Sequence, residues 1–410
     1  MCRRISDFHK TITLFLLILS AAFFAGCVEM LDKMPHKKWG FIDKTGHMVI
    51  EPQFDDVTRD QYGGCVLKSR KPFKNFSEGL CAVRLGKSWG YIDKTGKFVV
   101  PAKYDNAGNF SNGLAAVCLG TKYGYIDKSG KEVIPLQFEY SRHAHSNRNN
   151  NPDWDFSQGL IEKYEFSEGL GIGTKGGREG YIDKTGAFVI QPNYVDASPF
   201  CDGLASVQKA GDTNPYPGLI FIDKTGKEHN TVEQHCLAFS ENTFLATNAK
   251  YDQSRRLFYL DANGKRLSSA EYEDARLFCE GLAAVVQHFD EETHASYGYI
   301  DHTGKLVIPP KFDISGNNIA GNFRNGRAIV SKLETDALGN NHNLHGIINK
   351  DGNWITRPKY DHISAYCDGL ARTFSNNETI YLDMNGNEAV KSGVVWGNSF
   401  SEGLAAVMAK

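Results

Sequence analysis

The residues predict an all-β chain built as an array of about nine three-stranded antiparallel meander repeats, and three observations carry that expectation. A phrase made of an apolar pair and Asp-Lys-Thr-Gly, or a near copy, is anchored at Asp43, Asp93, Asp127, Asp183, Asp223, Asp261, Asp301, Asn349 and Asp383. Most copies are trailed by some version of Phe-Ser-x-Gly-Leu-Ala-Ala-Val, as at Phe400–Val407. The stretch after the turn then commonly exits through proline, as at Pro52, Pro101, Pro135, Pro192, Pro309 and Pro358. Recurrence at a period of a few tens of residues is the mark of a repeat architecture.

One unit shows why each run is read as a strand. Leu114–Cys118, Tyr123–Asp127 and Lys131–Ile134 are short apolar or alternating runs separated by Gly-bearing turns, the pattern of a meander. Between the last two, Asp127-Lys128-Ser129-Gly130 places Asp first and Gly fourth, which is type I turn chemistry with a residue able to take positive φ. The same reading makes Asp43 and Gly46, Asp93 and Gly96, Asp183 and Gly186, and Asp301 and Gly304 structural turn residues. Proline lacks the ladder donor and ends or edges the third strand. A sheet this small cannot cover its own apolar face, so neighbouring units must do so. Phe76, Phe110, Phe166, Phe200, Phe278, Phe323 and Phe400, with Tyr366 in one copy, are the expected plugs between units.

Two arrangements of the array fit. The anchors are separated by 34 to 56 residues, and nine copies exceed the roughly 4 to 8 blades usual for propellers. Both facts favour an open superhelix or spiral. The alternative is a closed propeller-like ring, for which the two ends are complementary. The first unit has no Gly-Leu-Ala-Ala-Val strand ahead of Trp39, and the last finishes on Leu404–Val407.

At 410 residues the chain exceeds the roughly 250 to 300 at which single cores stop growing, which suits a stack. Formal net charge is -2; Arg3, Arg4 and Lys10 against Asp7 make the first 26 residues net +2, so the remainder carries -4. That balance offers no basic field for nucleic acid. Met1–Lys10 is basic, Thr11–Phe24 is apolar and Phe24-Ala25-Gly26 precedes Cys27, the layout of a secretory signal. It resembles a bacterial lipoprotein signal, apart from Phe24 where Leu is usual. The expected organisation is therefore a lipoprotein signal peptide over 1–26, a tether over 27–38 and the repeat array over 39–410. The resemblance implies lipidation of Cys27 and membrane attachment through it, hence a bacterial cell-envelope location. Val28 supplies no Asp-type inner-membrane retention cue, which points to the outer membrane in a Gram-negative source.

Seven cysteines remain after Cys27, an odd number without Cys-x-x-Cys spacing, which argues against a disulfide framework or a zinc site. Cys201, Cys279 and Cys367 stand where Ser77, Ser111 and Ser401 stand in the Phe-Ser-x-Gly-Leu phrase.

Trp39-Gly40-Phe41-Ile42-Asp43-Lys44-Thr45-Gly46 and Trp89-Gly90-Tyr91-Ile92-Asp93-Lys94-Thr95-Gly96 look like the WG repeat family of bacterial β-rich proteins. Gly40, Gly90, Gly124, Gly180, Gly298 and Gly346 keep the glycine three places before the anchor. Tyr123, Tyr297, Glu179 and His345 replace the tryptophan, and the copies at Asp223, Asp261 and Asp383 lose the glycine. Trp396-Gly397 has no Ile-Asp after it and is read as loop. The resemblance covers about 39–410 and implies a scaffold, with no catalytic residues carried over.

Chemistry is sparse. One acid per turn beside a lysine gives too few oxygens for Ca²⁺. Phosphate-loop and His-Glu-x-x-His motifs are missing, and Gly86-Lys87-Ser88-Trp89-Gly90 runs into a strand where a hydrolase elbow enters a helix. No metal site and no cofactor is expected. The leading reading is a non-enzymatic, lipid-anchored envelope scaffold that binds a protein partner through its repeat surface and inserted loops. Cell-wall or glycan binding is the alternative, and it needs Tyr91, Tyr125, Tyr181 and Tyr299 on a solvent-facing track. An enzyme with its site in an insertion, 139–155 or 58–75, ranks third. The stretch 139–165, with its Asn-rich insertion and doubled phrase, is the candidate binding loop, and His143, His145 and Trp154 are its candidate contacts.

Overall fold

The computed structural model describes residues 38–55, 73–139, 161–209, 220–229, 235–247, 256–286, 296–313, 321–335, 341–375, 378–391, 393 and 396–408. Its strands form eight sheets, all with antiparallel neighbours, arranged as an eight-bladed β-propeller ring. The second sheet in the chain shows the plan: Phe73–Ser77, Leu80–Leu85, Ser88–Ile92 and Phe98–Tyr104 pair in chain order. The next repeats it with Asn106–Ser111, Leu114–Leu119, Lys122–Ile126 and Glu132–Glu139. Among the described residues the only helical element is the short 3-10 turn Ile161–Tyr164.

Three of the eight sheets have the expected three strands, but four have one strand more and one has five. The Phe-Ser run is itself a strand, with Ser111 opposite Leu114 across a two-residue turn. Both turn residues take positive φ, 57° at Asn112 and 85° at Gly113. That is the I′ hairpin geometry whose twist matches the flanking strands. The same turn recurs at Glu78, Glu168, Asp202, Glu280, Asn325, Asp368 and Glu402, each a non-glycine residue at positive φ ahead of a glycine.

The glycine of the Trp-Gly pair answers a close approach. Trp89 faces Tyr104 and Tyr91 faces Val100, so Gly90 alone lies opposite Pro101, Ala102 and Lys103 and the longer strand bulges over it. A Cβ on Gly90 would lie 2.5 Å from the Val100 carbonyl oxygen and 2.6 Å from the Ala102 nitrogen. No side chain fits there.

The open superhelix is overturned by the first described strand. Lys38–Asp43 pairs on one edge with Met48–Asp55 and on the other with Leu404–Met408, from Trp39 opposite Met408 to Asp43 opposite Leu404. The chain's last strand thus completes its first sheet, and the ring closes. Closure buries Leu404–Met408 entirely and removes the edges that an open array leaves at each end. Nine phrases enter eight sheets because one five-stranded sheet takes two copies, those of Asp183 and Asp223. Its strand Phe188–Ala197 runs on without a break to pair with Leu204–Lys209. The uneven spacing had argued for an open form, yet the three longest separations contain 56–72, 140–160, and 314–320 with 336–340, which lie outside the described residues. Trp396-Gly397 is also not loop: it pairs with Met408 and Val407 on the edge of the closing sheet.

Core is shared between sheets. Trp89, Tyr91, Val100 and Tyr104 of one sheet pack with Ala107, Phe110, Ala115 and Val117 of the next. Trp39 and Phe41 do the same with Phe73, Phe76 and Cys81, in a cluster that also holds Leu404. The plug residues are buried, and Phe110 meets Tyr91 edge-on at 4.9 Å. That arrangement favours the ring quadrupoles as well as burying area.

Candidate functional site

The turn residues come first because they recur most. Asp43 accepts hydrogen bonds at Oδ1 from the Thr45 amide (2.8 Å), the Thr45 hydroxyl (2.6 Å) and the His47 amide (3.0 Å). Its carbonyl accepts from the Gly46 amide at 3.0 Å. Asp93, Asp127, Asp183 and Asp301 are held in the same way. The threonine or serine hydroxyl, chiefly, holds these carboxyls below the usual aspartate range. The turn glycines, at φ near 85°, each approach the preceding repeat, as Gly96 does Ile50 and Gly130 does Val100. Cys27, His143, His145 and Trp154 lie outside the described residues, as does most of 139–165. Among the described residues no group of three or more His, Cys, Asp or Glu is placed to hold a metal ion.

A second set of polar residues joins the repeats, and sequence reasoning missed it. At most of these turns the first position is an acid that reaches forward to the next repeat. Glu78 accepts from the Gly113 amide and pairs with Lys128 at 3.0 Å. Glu168 accepts from Gly203 and pairs with Lys224, and Glu280 accepts from Gly326 and pairs with Lys350. Glu241 accepts from Gly281, with His302 in the lysine's place. Asp368 accepts from Gly403 and pairs with Lys44, across the join into the closing sheet. Alongside, the Ser77 hydroxyl donates to the Phe110 carbonyl, Ser111 to Phe166 and Ser167 to Phe200. The recurring Ser, the acid after it and the Lys after the turn Asp therefore hold repeat to repeat. Their common period was the available signal.

The four tyrosines of the glycan alternative are buried, at most 1% exposed. Their hydroxyls donate to backbone carbonyls of the following repeat: Tyr91 to Gly108, Tyr125 to Tyr164, Tyr181 to Ser198 and Tyr299 to Gly321. They form no solvent-facing track.

Where the Trp-Gly pair is altered, the interior changes with it. Trp39, Trp89, Tyr123 and Tyr297 fill this place with large rings, opposite Phe54, Tyr104, Phe138 and Phe312. Glu179 takes it in one repeat, fully buried, bonded to Lys163 Nζ at 2.8 Å and to the Ala197 amide at 2.7 Å. Asp196 joins Lys163 as well. Burial pushes the Glu179 carboxyl above its ordinary range despite the lysine. His345 takes the place in another repeat, opposite Tyr360. Beside it is a cavity of about 360 Å³ lined by Arg276, Arg324, Arg327, His345, His362 and Tyr366, among others.

The cavity's polar groups are unevenly committed. Arg327 donates from Nε to the Met384 carbonyl at 2.9 Å and from one terminal nitrogen to the Gly326 carbonyl. The Tyr366 hydroxyl donates to the Asp383 carbonyl and the Ser331 hydroxyl to that of Asp313. His345 is 6% exposed, and its buried Nδ1 has no hydrogen-bond partner among the described residues. His362 lies 6.3 Å from it, ring to ring. Desolvation, then Arg372 and His345 nearby, hold the His362 imidazole below its ordinary pKa.

Comparison with known proteins agrees with the repeat reading. The WG containing repeat family model matches residues 39–65, 89–123, 123–148, 180–211, 297–334 and 346–377. No curated protein matches the chain in sequence. Among solved structures it is similar to a eukaryotic initiation factor at 12% identity and TM-score 0.47, covering 91% of this chain and 98% of that one. It is also similar to AztD of Citrobacter koseri at 13% identity and TM-score 0.29, covering 91% and 99%. A third likeness is to the extracellular domain of a putative hybrid two component system from B. thetaiotaomicron, at 10% identity and TM-score 0.28. That match covers 81% of this chain and 49% of the other, so this chain spans about half its length. Likenesses this distant carry no argument about function. Six matched repeats, the Asp-Lys-Thr-Gly turns and an all-β ring place this chain in the WG repeat family.

Proposed function

We propose that the ring is a non-enzymatic, lipid-anchored scaffold of the bacterial cell envelope that binds a protein partner through its surface and inserted loops. The observation that carries this reading is the forward latch. The polar residues recurring in most repeats, Glu78 and Lys128 or Glu280 and Lys350 among them, are spent on holding one repeat to the next. Partner recognition then falls to what differs between repeats, namely the inserted segments and the altered Trp positions. Rigid β scaffolds that carry variable loops suit binding. The lipid anchor rests on the Met1–Cys27 signal, and acylation at more than one point would make attachment stable.

Cross-linking in cells followed by mass spectrometry tests the reading, run on the native chain, on Cys27→Ser and on a chain lacking 141–153. The expected result is a specific protein partner for the native chain, its loss in the deletion, and release of Cys27→Ser from the membrane fraction. A chain that captures no partner, or that fractionates identically with and without Cys27, overturns the corresponding half.

A further inference from the structure

The cavity beside His345 is a local concentration of positive charge in a chain that has none overall. Formal net charge is -2, yet the cavity wall carries three arginines and two histidines and no carboxylate. The residues come from three successive repeats: Arg276 precedes the plug Phe278, Arg324 and Arg327 flank the turn after Phe323, and His362 and Tyr366 begin the next. Acids close to them in the chain are engaged elsewhere. Asp274 accepts from the Tyr297 hydroxyl and the Ala275 amide, and Asp313 accepts from the Leu333 amide. Glu280 accepts from the Asn325 and Gly326 amides between Arg324 and Arg327, and it pairs with Lys350. Among the described residues the cavity wall itself holds no counter-charge; like charges gathered there repel, and burying a polar atom without a partner costs roughly 1–3 kcal/mol. His345 Nδ1 is such an atom.

The space has a local origin. Trp39 packs against Phe73 at 5.0 Å and Tyr123 against Tyr164 at 4.2 Å, so large rings fill this position in those repeats. His345 is the smaller ring, and its aromatic neighbour His362 lies 6.3 Å away.

We propose that this cavity binds a small, multiply charged oxyanion, a polycarboxylate or a phosphate-bearing molecule. Its volume sits at the lower end of the roughly 300–1,000 Å³ typical of small-molecule sites, which suits a metabolite-sized ligand. Arg327 is held by two backbone carbonyls and so presents its remaining guanidinium N–H groups in a fixed orientation. Guanidinium groups match the paired oxygens of carboxylate and phosphate. A ligand group also supplies the hydrogen-bond partner that the buried His345 Nδ1 lacks among the described residues. The site is independent of the protein-partner reading, and either can fail alone.

The test is isothermal titration calorimetry of the full chain in detergent with citrate, with inorganic phosphate and with glucose. Binding of citrate or phosphate is expected, weakening as salt is raised, with no heat from glucose; which anion binds more tightly distinguishes the two sources. Arg276→Gln and Arg324→Gln, whose side chains make no hydrogen bond among the described residues, should each weaken binding by about tenfold or more, the loss of one charged hydrogen bond. His345→Trp restores the ring found at Trp39 and Trp89 and should abolish binding while the melting temperature holds or rises. Lys87→Gln, on an exposed turn, serves as the charge control. No binding of either anion, equal binding of glucose, or full affinity in His345→Trp or in both arginine variants overturns the proposal.

Discussion

The Glu402 carboxylate accepts a hydrogen bond from the Gly79 amide at 2.9 Å, joining residues 323 positions apart in the chain. It also pairs with Lys94 at 3.3 Å, and the Ser401 hydroxyl donates to the Phe76 carbonyl. These contacts repeat what Glu78 does for Gly113 and Lys128 one repeat further on. The join between the chain's ends is therefore built like any other.

Two perturbations of the join should differ greatly in size. Glu402→Ala removes a half-exposed latch and should cost about 0.5–1.5 kcal/mol, as should Glu280→Ala at an internal joint. Deleting 404–410 removes the strand that pairs with Lys38–Asp43 and bares an apolar edge. Thermal melts and size-exclusion chromatography should show a large destabilisation and self-association for the deletion. A monomeric truncation that melts like the native chain would contradict a closed ring.

Gly90→Ala should destabilise by about 1–3 kcal/mol, since the added methyl meets strand backbone at 2.5 Å. Lys87→Ala, on the exposed turn just before that strand, should be close to neutral. Urea denaturation of both variants checks this, and equal midpoints would mean that the bulge can open.

Lys163→Ala leaves the Glu179 carboxylate buried without its cation and should cost about 3–5 kcal/mol. The double variant Lys163→Ala with Glu179→Trp places an indole where Trp39 and Trp89 stand and should recover most of that loss. A double-mutant cycle on denaturant midpoints reads the coupling, and purely additive costs would count against the pair.

The pH response follows from the depressed turn carboxyls. Asp43, Asp93, Asp127, Asp183 and Asp301 titrate lower folded than unfolded, so the unfolded chain binds more protons as acid is added. Their contribution is complete above the unfolded value of about 4 and is lost as pH falls through the folded values. Glu165 and Glu179 are raised by burial and act in the opposite sense, favouring the fold as they protonate. The turn acids outnumber them, so melting temperature should drop below about pH 4. Asn349 offers a control, because its Oδ1 accepts from the Asp351 and Asn353 amides in the same turn without titrating. Asp93→Asn should therefore fold and lose less stability in acid than the native chain. An unchanged acid slope would remove this turn from the account.

The strand character of Ser88–Ile92, the Asp93–Gly96 turn and the plug role of Phe110 all follow from local pattern and turn chemistry, so the all-β repeat class was legible. The fourth strand was less so. Phe76-Ser77 is too short for an alternation signal, and its partner Leu80 is set by the positive-φ pair Glu78-Gly79. The latch could have been found from its period, but the sequence does not say which repeat a given acid reaches. The cavity lay further out of reach: His345 was visible as a departure from Trp, while Arg276, Arg324 and His362 meet it only through the packing of three sheets.

Repeat class, turn chemistry and the identity of the plugs were written in neighbouring residues, because hairpins and alternation are short-range consequences of φ, ψ and side-chain size. Ring closure, the merging of nine phrases into eight sheets and the cationic cavity were fixed by assembly. Each depends on how the rotation between successive sheets accumulates around the whole chain, and that sum is carried by contacts such as Glu402 to Gly79, which no local window of sequence contains.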